Sequence, residues 1–310
     1  LANMTEDVAA LVLRDNYLQS QALSMLEYRA SQDLLEQAHT VRSLELSGHL
    51  DRALEFLPSA EDIDDRHRAG RGLTRPELAI LLAYAKMTLY SHLIDSDVPE
   101  DPYLSQELAR YFPPLIERRF GRFLKQHRLR REIIATATTN SMVNRMGATF
   151  ARRTQEDTGA HAATVVRAYA IAREAFGMRN TWTDIEALDN KIAAATQYEM
   201  MYETTRLLRF STYWLIHHQA SELNIDQQVR RFMRGLSELD DAVPRVLSGA
   251  DLAAFKTRFE QYRTAGVPEA LANRMATLVA LRSGFDLVAI AEKTELAVDR
   301  AAIIYFGVGT

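Results

Sequence analysis

Met200-Met-Tyr-Glu-Thr-Thr-Arg-Leu-Leu-Arg-Phe-Ser-Thr-Tyr-Trp-Leu-Ile216 is the stretch that decides the fold class. Met200, Leu207 and Trp214 recur every seven residues, and Met201, Leu208 and Leu215 do the same one position on. At 3.6 residues per turn both sets stack on one side of a helix. Two adjacent stripes make a face broad enough to be buried in a bundle. Working outward, no proline lies between Leu115 and Val243, so nothing in that span removes a helical N–H or clashes with a carbonyl one turn back. Thr74 with Glu77 fits a capping box, with Pro76 tolerated in the first turn, ahead of an apolar run through Leu78, Leu81, Leu82 and Tyr90. Gly48, Gly159 and Gly177 each close an amphipathic run, where a left-handed cap costs glycine least. The best strand candidates, Thr164 to Val166 and Ile303 to Phe306, lie inside helical periodicity. The expectation is an all-α, multi-helix bundle with long central helices. A change of composition through Asn224 and Asp226, with Gly235, Pro244, Gly249 and Pro268 marking shorter helices, predicts a main bundle over 1–220 and a smaller helical subdomain over 221–310. The boundary is placed near Ala220, and the acidic stretch Asp95-Ser-Asp-Val-Pro-Glu-Asp-Pro102 is expected to be a surface loop.

Composition removes whole classes of function. With 47% hydrophobic and 25% charged residues in 310, the chain can bury a sizeable core and does not read as disordered. Lysines and arginines number 37 against 41 acids, and a net charge of −4 leaves no global field for nucleic acid or membrane. The absence of cysteine excludes disulfides, thiolate zinc sites, iron–sulfur clusters and a cysteine nucleophile, and points to the cytoplasm. The apolar stretch Leu78 to Ala85 meets Lys86 long before it could span a bilayer, and Glu6 and Asp7 stand where a signal peptide carries positive charge. Because the chain opens at Leu1 and closes on an apolar run through Phe306, it is expected to be a fragment of a longer protein.

Catalytic signatures are missing. No G-x-G-x-x-G, Walker loop, G-x-S-x-G elbow or H-E-x-x-H occurs, so no catalytic, cofactor-binding or metal residue is assigned. None of the eight histidines has a second at i+4, the spacing that turns two ring nitrogens toward one metal. The cluster Glu61-Asp-Ile-Asp-Asp65 lacks the turn glycine and distal glutamate of an EF-hand loop; it reads as an acidic first turn after the cap Ser59.

Three features remain. Between Arg110 and Arg131 the cations Arg110, Arg118, Arg119, Arg122, Lys125, Arg128, Arg130 and Arg131 face Glu117 alone, a local charge of +7. Such a run suits phosphate contacts or a docking face on another domain. Since Asp95 to Glu107 just before it carries five acids and no base, we read it as a solvated or docking face. Stepping by three or four from Leu129 gives Ile133, Ala137, Asn140, Asn144, Gly147 and Phe150; the two amides in a small, apolar stripe suggest an interhelical hydrogen-bond fastener. Asp286 to Tyr305 could form two short helices joined at Lys293 and Thr294, but Glu295 and Asp299 give the second the wrong sign for a recognition helix, so a hairpin closing the core is expected.

The segments Leu11-Val-Leu-Arg-Asp-Asn-Tyr-Leu-Gln19, Gly70-Arg-Gly-Leu-Thr-Arg-Pro-Glu-Leu-Ala79, His127-Arg-Leu-Arg-Arg-Glu-Ile-Ile-Ala-Thr136 and Ile185-Glu-Ala-Leu-Asp-Asn-Lys191 resemble the carboxyl-terminal region of the large bacterial NAD-dependent glutamate dehydrogenases. The resemblance covers nearly the whole chain. Ala193 stands where that family often has proline, which leaves helix continuity open there, and the chain ends at Gly309-Thr310 before the family's final segment. The resemblance implies a parent enzyme that deaminates L-glutamate to 2-oxoglutarate and ammonium with NAD as hydride acceptor, its catalytic and dinucleotide domains upstream. It implies that this piece is noncatalytic, holds no cofactor itself, and packs on the catalytic domain of the same chain within a homo-oligomer, with neither nucleic acid nor membrane as partner. The rival reading is an autonomous helical nucleic-acid-binding protein using residues 110–131.

Overall fold

Helix caps account for where the elements start. In the computed structural model, which describes residues 2–219 and 223–307, sixteen α-helices and two short 3-10 turns form, with no strand among the described residues. Two compact units divide the chain, Leu1–Val166 and Arg167–Thr310. The first holds α1 (Ala2–Tyr28), α2 (Leu34–Leu46), α3 (Ala60–Arg68), α4 (Arg75–Ile94), α5 (Gln106–Tyr111), α6 (Pro114–Leu124), α7 (Arg130–Met146) and α8 (Phe150–Thr158). The division falls inside α9 (Ala162–Ala175). After it come α10 (Met178–Glu186), α11 (Ala194–Gln219), α12 (Ile225–Val246), α13 (Gly249–Thr264), α14 (Glu269–Thr277), α15 (Gly284–Thr294) and α16 (Val298–Gly307). Ala220, the expected boundary, lies outside the described residues.

In the first unit α4 packs against α7, and α1 lies against both. Leu78, Leu81, Leu82, Leu89 and Leu93 of α4 and Ile134, Met142 and Val143 of α7 supply its core. The expected capping box is present at α4, where the Thr74 N–H donates to Glu77 at 2.7 Å, and the expected cap Ser59 turns out to form a box of its own, exchanging two bonds with Asp62 at 2.9 and 3.1 Å. Arg66 clamps the same Glu77 at 2.6 and 2.9 Å, tying α3 to α4. The acidic stretch after α4 is more than a loop. Its Val98 is wholly buried, Pro99 is buried, and a 3-10 turn spans Val98–Glu100. Glycines 48, 159 and 177 all take positive φ at helix ends.

The second unit closes on an aromatic cluster. Trp214 of α11 stacks on Phe285 of α15 at 5.2 Å between centroids, Phe232 of α12 meets Phe285 edge-on at 4.6 Å, and Phe176 completes the set at 5.4 Å. The indole Nε1–H of Trp214 donates to Asp286 at 2.6 Å, satisfying the one polar atom of the ring. Met200, Met201, Leu207, Leu208 and Leu215 are all buried, as the heptad stripes require. Gly235 and Pro244 do not end a helix: both lie within the 22 residues of α12. Gly235 is instead a place of close approach, because a Cβ there would come within 2.9 Å of a Val288 methyl on α15. Helix continuity does break before Ala194, without a proline. Asn190 turns the chain with φ +60°, and Gln197 Nε2 donates to Ile185 O and Asp189 Oδ1, both at 2.8 Å. The terminal pair α15 and α16 forms the expected hairpin, with Glu295 in the left-handed region at the bend and α16 packed on α12 and α15.

Candidate docking surface

Pro113-Pro114 ends α5 and starts α6 with proline at the first helical position, where the missing N–H has no intrahelical partner to lose. α6 then runs along the surface against α5. Leu124 is its single buried residue, while Arg118, Arg119, Phe120, Arg122 and Phe123 are exposed, with Lys125 beyond its end. The Arg122 guanidinium sits over the Phe123 ring at 4.7 Å, so charge and aromatic surface are presented together.

The structure divides the basic run. Arg110 pairs with Glu107 at 3.0 Å. Arg130 and Arg131 both bind Glu100, at 2.5 and 2.7 Å, and Arg131 also donates to the carbonyls of Ile94 and Ser96 at 2.7 and 3.1 Å. Arg130 and Arg131 therefore pin the 3-10 turn to the start of α7, and both guanidinium groups are engaged inside the unit. Arg118, Arg119, Arg122, Lys125 and Arg128 carry no ion pair among the described residues. This is the local excess that the sequence places in 110–131, narrowed to α6 and the turn after it.

The two amides of α7 lie at the flank of its buried face. Asn140 and Asn144 are half-buried, whereas Thr138 and Thr139 sit fully inside. Oδ1 of Asn144 is enclosed without a hydrogen-bond partner, so the fastening bond expected of it is not made at that atom. The physical reason is the phase of the helix: the inward face centres on Ala135, Thr138, Met142 and Met146, one step round from the amide stripe.

A second surface escaped sequence reasoning. Leu46, Leu54 and Phe56 are 81%, 75% and 89% exposed, more than any other large apolar side chains among the described residues. Phe56 holds φ +53° in the turn after α2, a left-handed backbone that a bulky residue adopts at a cost of roughly 1–2 kcal/mol. Leucine and phenylalanine beside turn-forming Asp51 are the only signal, and composition alone does not separate them from core residues.

No group of three or more metal-binding side chains occurs among the described residues, and no helix is long and apolar enough to cross a membrane. The family model for the glutamate dehydrogenase C-terminal region matches residues 70–310. This chain belongs to that family. NAD-specific glutamate dehydrogenases of Halomonas elongata and Pseudomonas aeruginosa are each 39% identical to it over all of its length, and that of Mycobacterium tuberculosis is 32% identical over 93%. The chain spans about a fifth of the length of these relatives. Within this glutamate dehydrogenase C-terminal region, the segments that carry the resemblance perform structural tasks. Gly70 to Ala79 contains the α4 cap, Ile185 to Lys191 the turn before α11, and His127 to Thr136 the Arg130 and Arg131 clamp on Glu100.

Proposed function

We propose that this chain is the noncatalytic carboxyl-terminal helical domain of an NAD-dependent glutamate dehydrogenase. The whole enzyme would take L-glutamate, water and NAD to 2-oxoglutarate, ammonium and NADH in the cytoplasm, as a homo-oligomer. The names of its relatives and its share of their length support that reading. Its own task would be to dock on the catalytic region of the same polypeptide, with α6 as the contact. One observation carries this: five cations of one short segment lack acidic partners while Phe120 and Phe123 beside them stay in water. An acidic, partly apolar surface on the catalytic body complements that combination, since charge sets orientation while aromatics supply contact area.

The test reverses Arg118, Arg119 and Arg122 to glutamate in a full-length protein carrying this chain at its carboxyl end. Assembly or turnover should fall, while the 310-residue chain with the same changes keeps its fold, because exposed charges contribute little to stability. The competing nucleic-acid reading predicts instead that the unmodified chain binds mixed DNA and RNA with an affinity that falls steeply with salt, and that the reversed enzyme still assembles. Calorimetry with NAD should give no saturable heat for the chain alone, since no glycine-rich turn opens a helix onto a pyrophosphate.

A further inference from the structure

The first unit holds a concavity of about 380 Å³ whose walls are the end of α2 and the turn after it, the second half of α4, and α8. Its floor is apolar, made of Leu44, Leu89 and Ala148. Its rim gathers basic side chains from all three walls: His49 after α2, His92 on α4 and Arg152 on α8.

The rim is built rather than incidental. Arg152 is held by α2, its Nε donating to Ser43 Oγ at 2.5 Å and its Nη2 to Ser43 O at 2.9 Å, and its Nη1 carries no hydrogen bond among the described residues. The one acid of the rim, Glu156, accepts from Ser43 Oγ at 2.8 Å and pairs with Arg152 through Nε at 3.2 Å, on the side away from Nη1, and lies 3.6 Å from His39 Nδ1. His49 Nδ1 is 3.0 Å from Ser47 Oγ, which leaves its Nε2 for a ligand, and neither nitrogen of His92 has a partner among the described residues. Loss of solvent, then the charges of His49 and Arg152, hold the His92 pKa below its ordinary value, against the opposing pull of Asp95. Arg152 is the permanent cation of the rim, offset on its Nε side by Glu156, while its Nη1 and the ring nitrogens of His92 face the pocket without partners among the described residues.

We propose that this pocket binds a small organic carboxylate, the anion taking Nη1 of Arg152 and the free nitrogens of His92 and His49 while its carbon body rests on Leu44, Leu89 and Ala148. A pocket of this size accepts a ligand of a few carbons. The site lies within the first unit and does not depend on the docking face of α6. Protonation of His92 adds a charge-assisted bond to the anion, so affinity rises as pH falls through the histidine range. By linkage the bound anion raises the His92 pKa.

The experiment titrates the 310-residue chain with succinate at fixed ionic strength and follows the imidazole ring resonances of His49 and His92 by NMR. Both should shift saturably at pH 6, the His92 midpoint should move to higher pH, and affinity should weaken at pH 8. Arg152→Gln should weaken binding about tenfold, the loss of one charge-assisted bond. Should that variant fail to fold, because Arg152 also bridges α8 to α2, His92→Asn on the rim gives the same comparison without touching Ser43. No saturable shift at pH 6 overturns the proposal. So do equal shifts with uncharged succinamide, which show that charge is not read, or equal affinity for inorganic phosphate, which shows that the carbon body is not.

Discussion

Two glycines two residues apart show how differently one residue type can be required. Gly70 has φ +65° with open space around it, so a Cβ there meets only backbone strain. Gly72 has ordinary φ, but a Cβ would run into the carbonyl group of Ala30 and come within 2.5 Å of the Ala30 Cβ. Backbone cannot rotate away as a side chain can. Gly70→Ala should therefore cost about 1–2 kcal/mol, and Gly72→Ala about 3 kcal/mol or more as overpacking; urea midpoints of the two variants compare them directly. Five residues on, Glu77 is the better pH probe. Burial pushes its pKa up, but bonds from Arg66 and Thr74 outweigh that and hold it below the ordinary carboxylate value. With the folded pKa depressed, the contribution of Glu77 is complete above the unfolded value near 4.5 and is lost as pH falls through the folded one. Glu77→Gln should lower stability at pH 7 by about 2 kcal/mol, the loss of charge-assisted hydrogen bonds in a half-buried pair, and should flatten the acid side of the stability profile. An unchanged slope between pH 5 and pH 3 would show that Glu77 titrates normally.

At the scale of elements, α12 and α15 meet at a point with no room. Gly235 faces the branched methyls of Val288, and Gly284 faces Leu236 in the reverse sense, a Cβ there lying 2.6 Å from its Cδ2. Alanine at 235 gains about 1 kcal/mol of helix propensity, yet Val288 is stiff at χ1 and cannot swing aside. Gly235→Ala should therefore be net destabilising, and adding Val288→Ala should recover it with a coupling of at least about 1 kcal/mol in a double-mutant cycle. Additive effects would mean that the two helices do not touch there. Gly235 also shows what sequence could convey. The heptads of α11, the caps of α3 and α4 and the terminal hairpin were all legible, because local periodicity and hydrogen-bond chemistry specify them. Gly235 looked like a helix end, since a glycine that admits a neighbouring helix and one that stops its own are identical in sequence. The half-buried places of Asn140 and Asn144 have a related reason: apolar stepping gave the face of α7 to within one position, and one position turns a helix by 100°. The basic run was visible as charge, but its division into Arg130 and Arg131, held by Glu100, and an unpaired α6 depends on tertiary placement of the 3-10 turn.

For the whole molecule, charge distribution matters more than its sum. A net charge of −4 coexists with a cationic α6 face, so association of this chain with a complementary catalytic region should slow as salt rises, whereas its own thermal midpoint should move little between 50 and 500 mM salt. Stopped-flow association at several ionic strengths, set beside thermal melts, separates the two; a salt-insensitive on-rate would remove α6 from the encounter. The apolar turn after α2 gives that question a clock. Proteases that cut after aromatic residues need an extended strand of substrate, and Phe56 offers its ring to solvent while its backbone is coiled left-handed, tied by Leu57 N–H to Arg52 O at 3.0 Å and by Asp51 Oδ1 to the N–H groups of Ala53 and Leu54. Scission after Phe56 must wait for that small knot to open, and any body that settles over Leu46, Leu54 and Phe56 will hold it shut, so the rate of a single nick counts how often the surface stands uncovered.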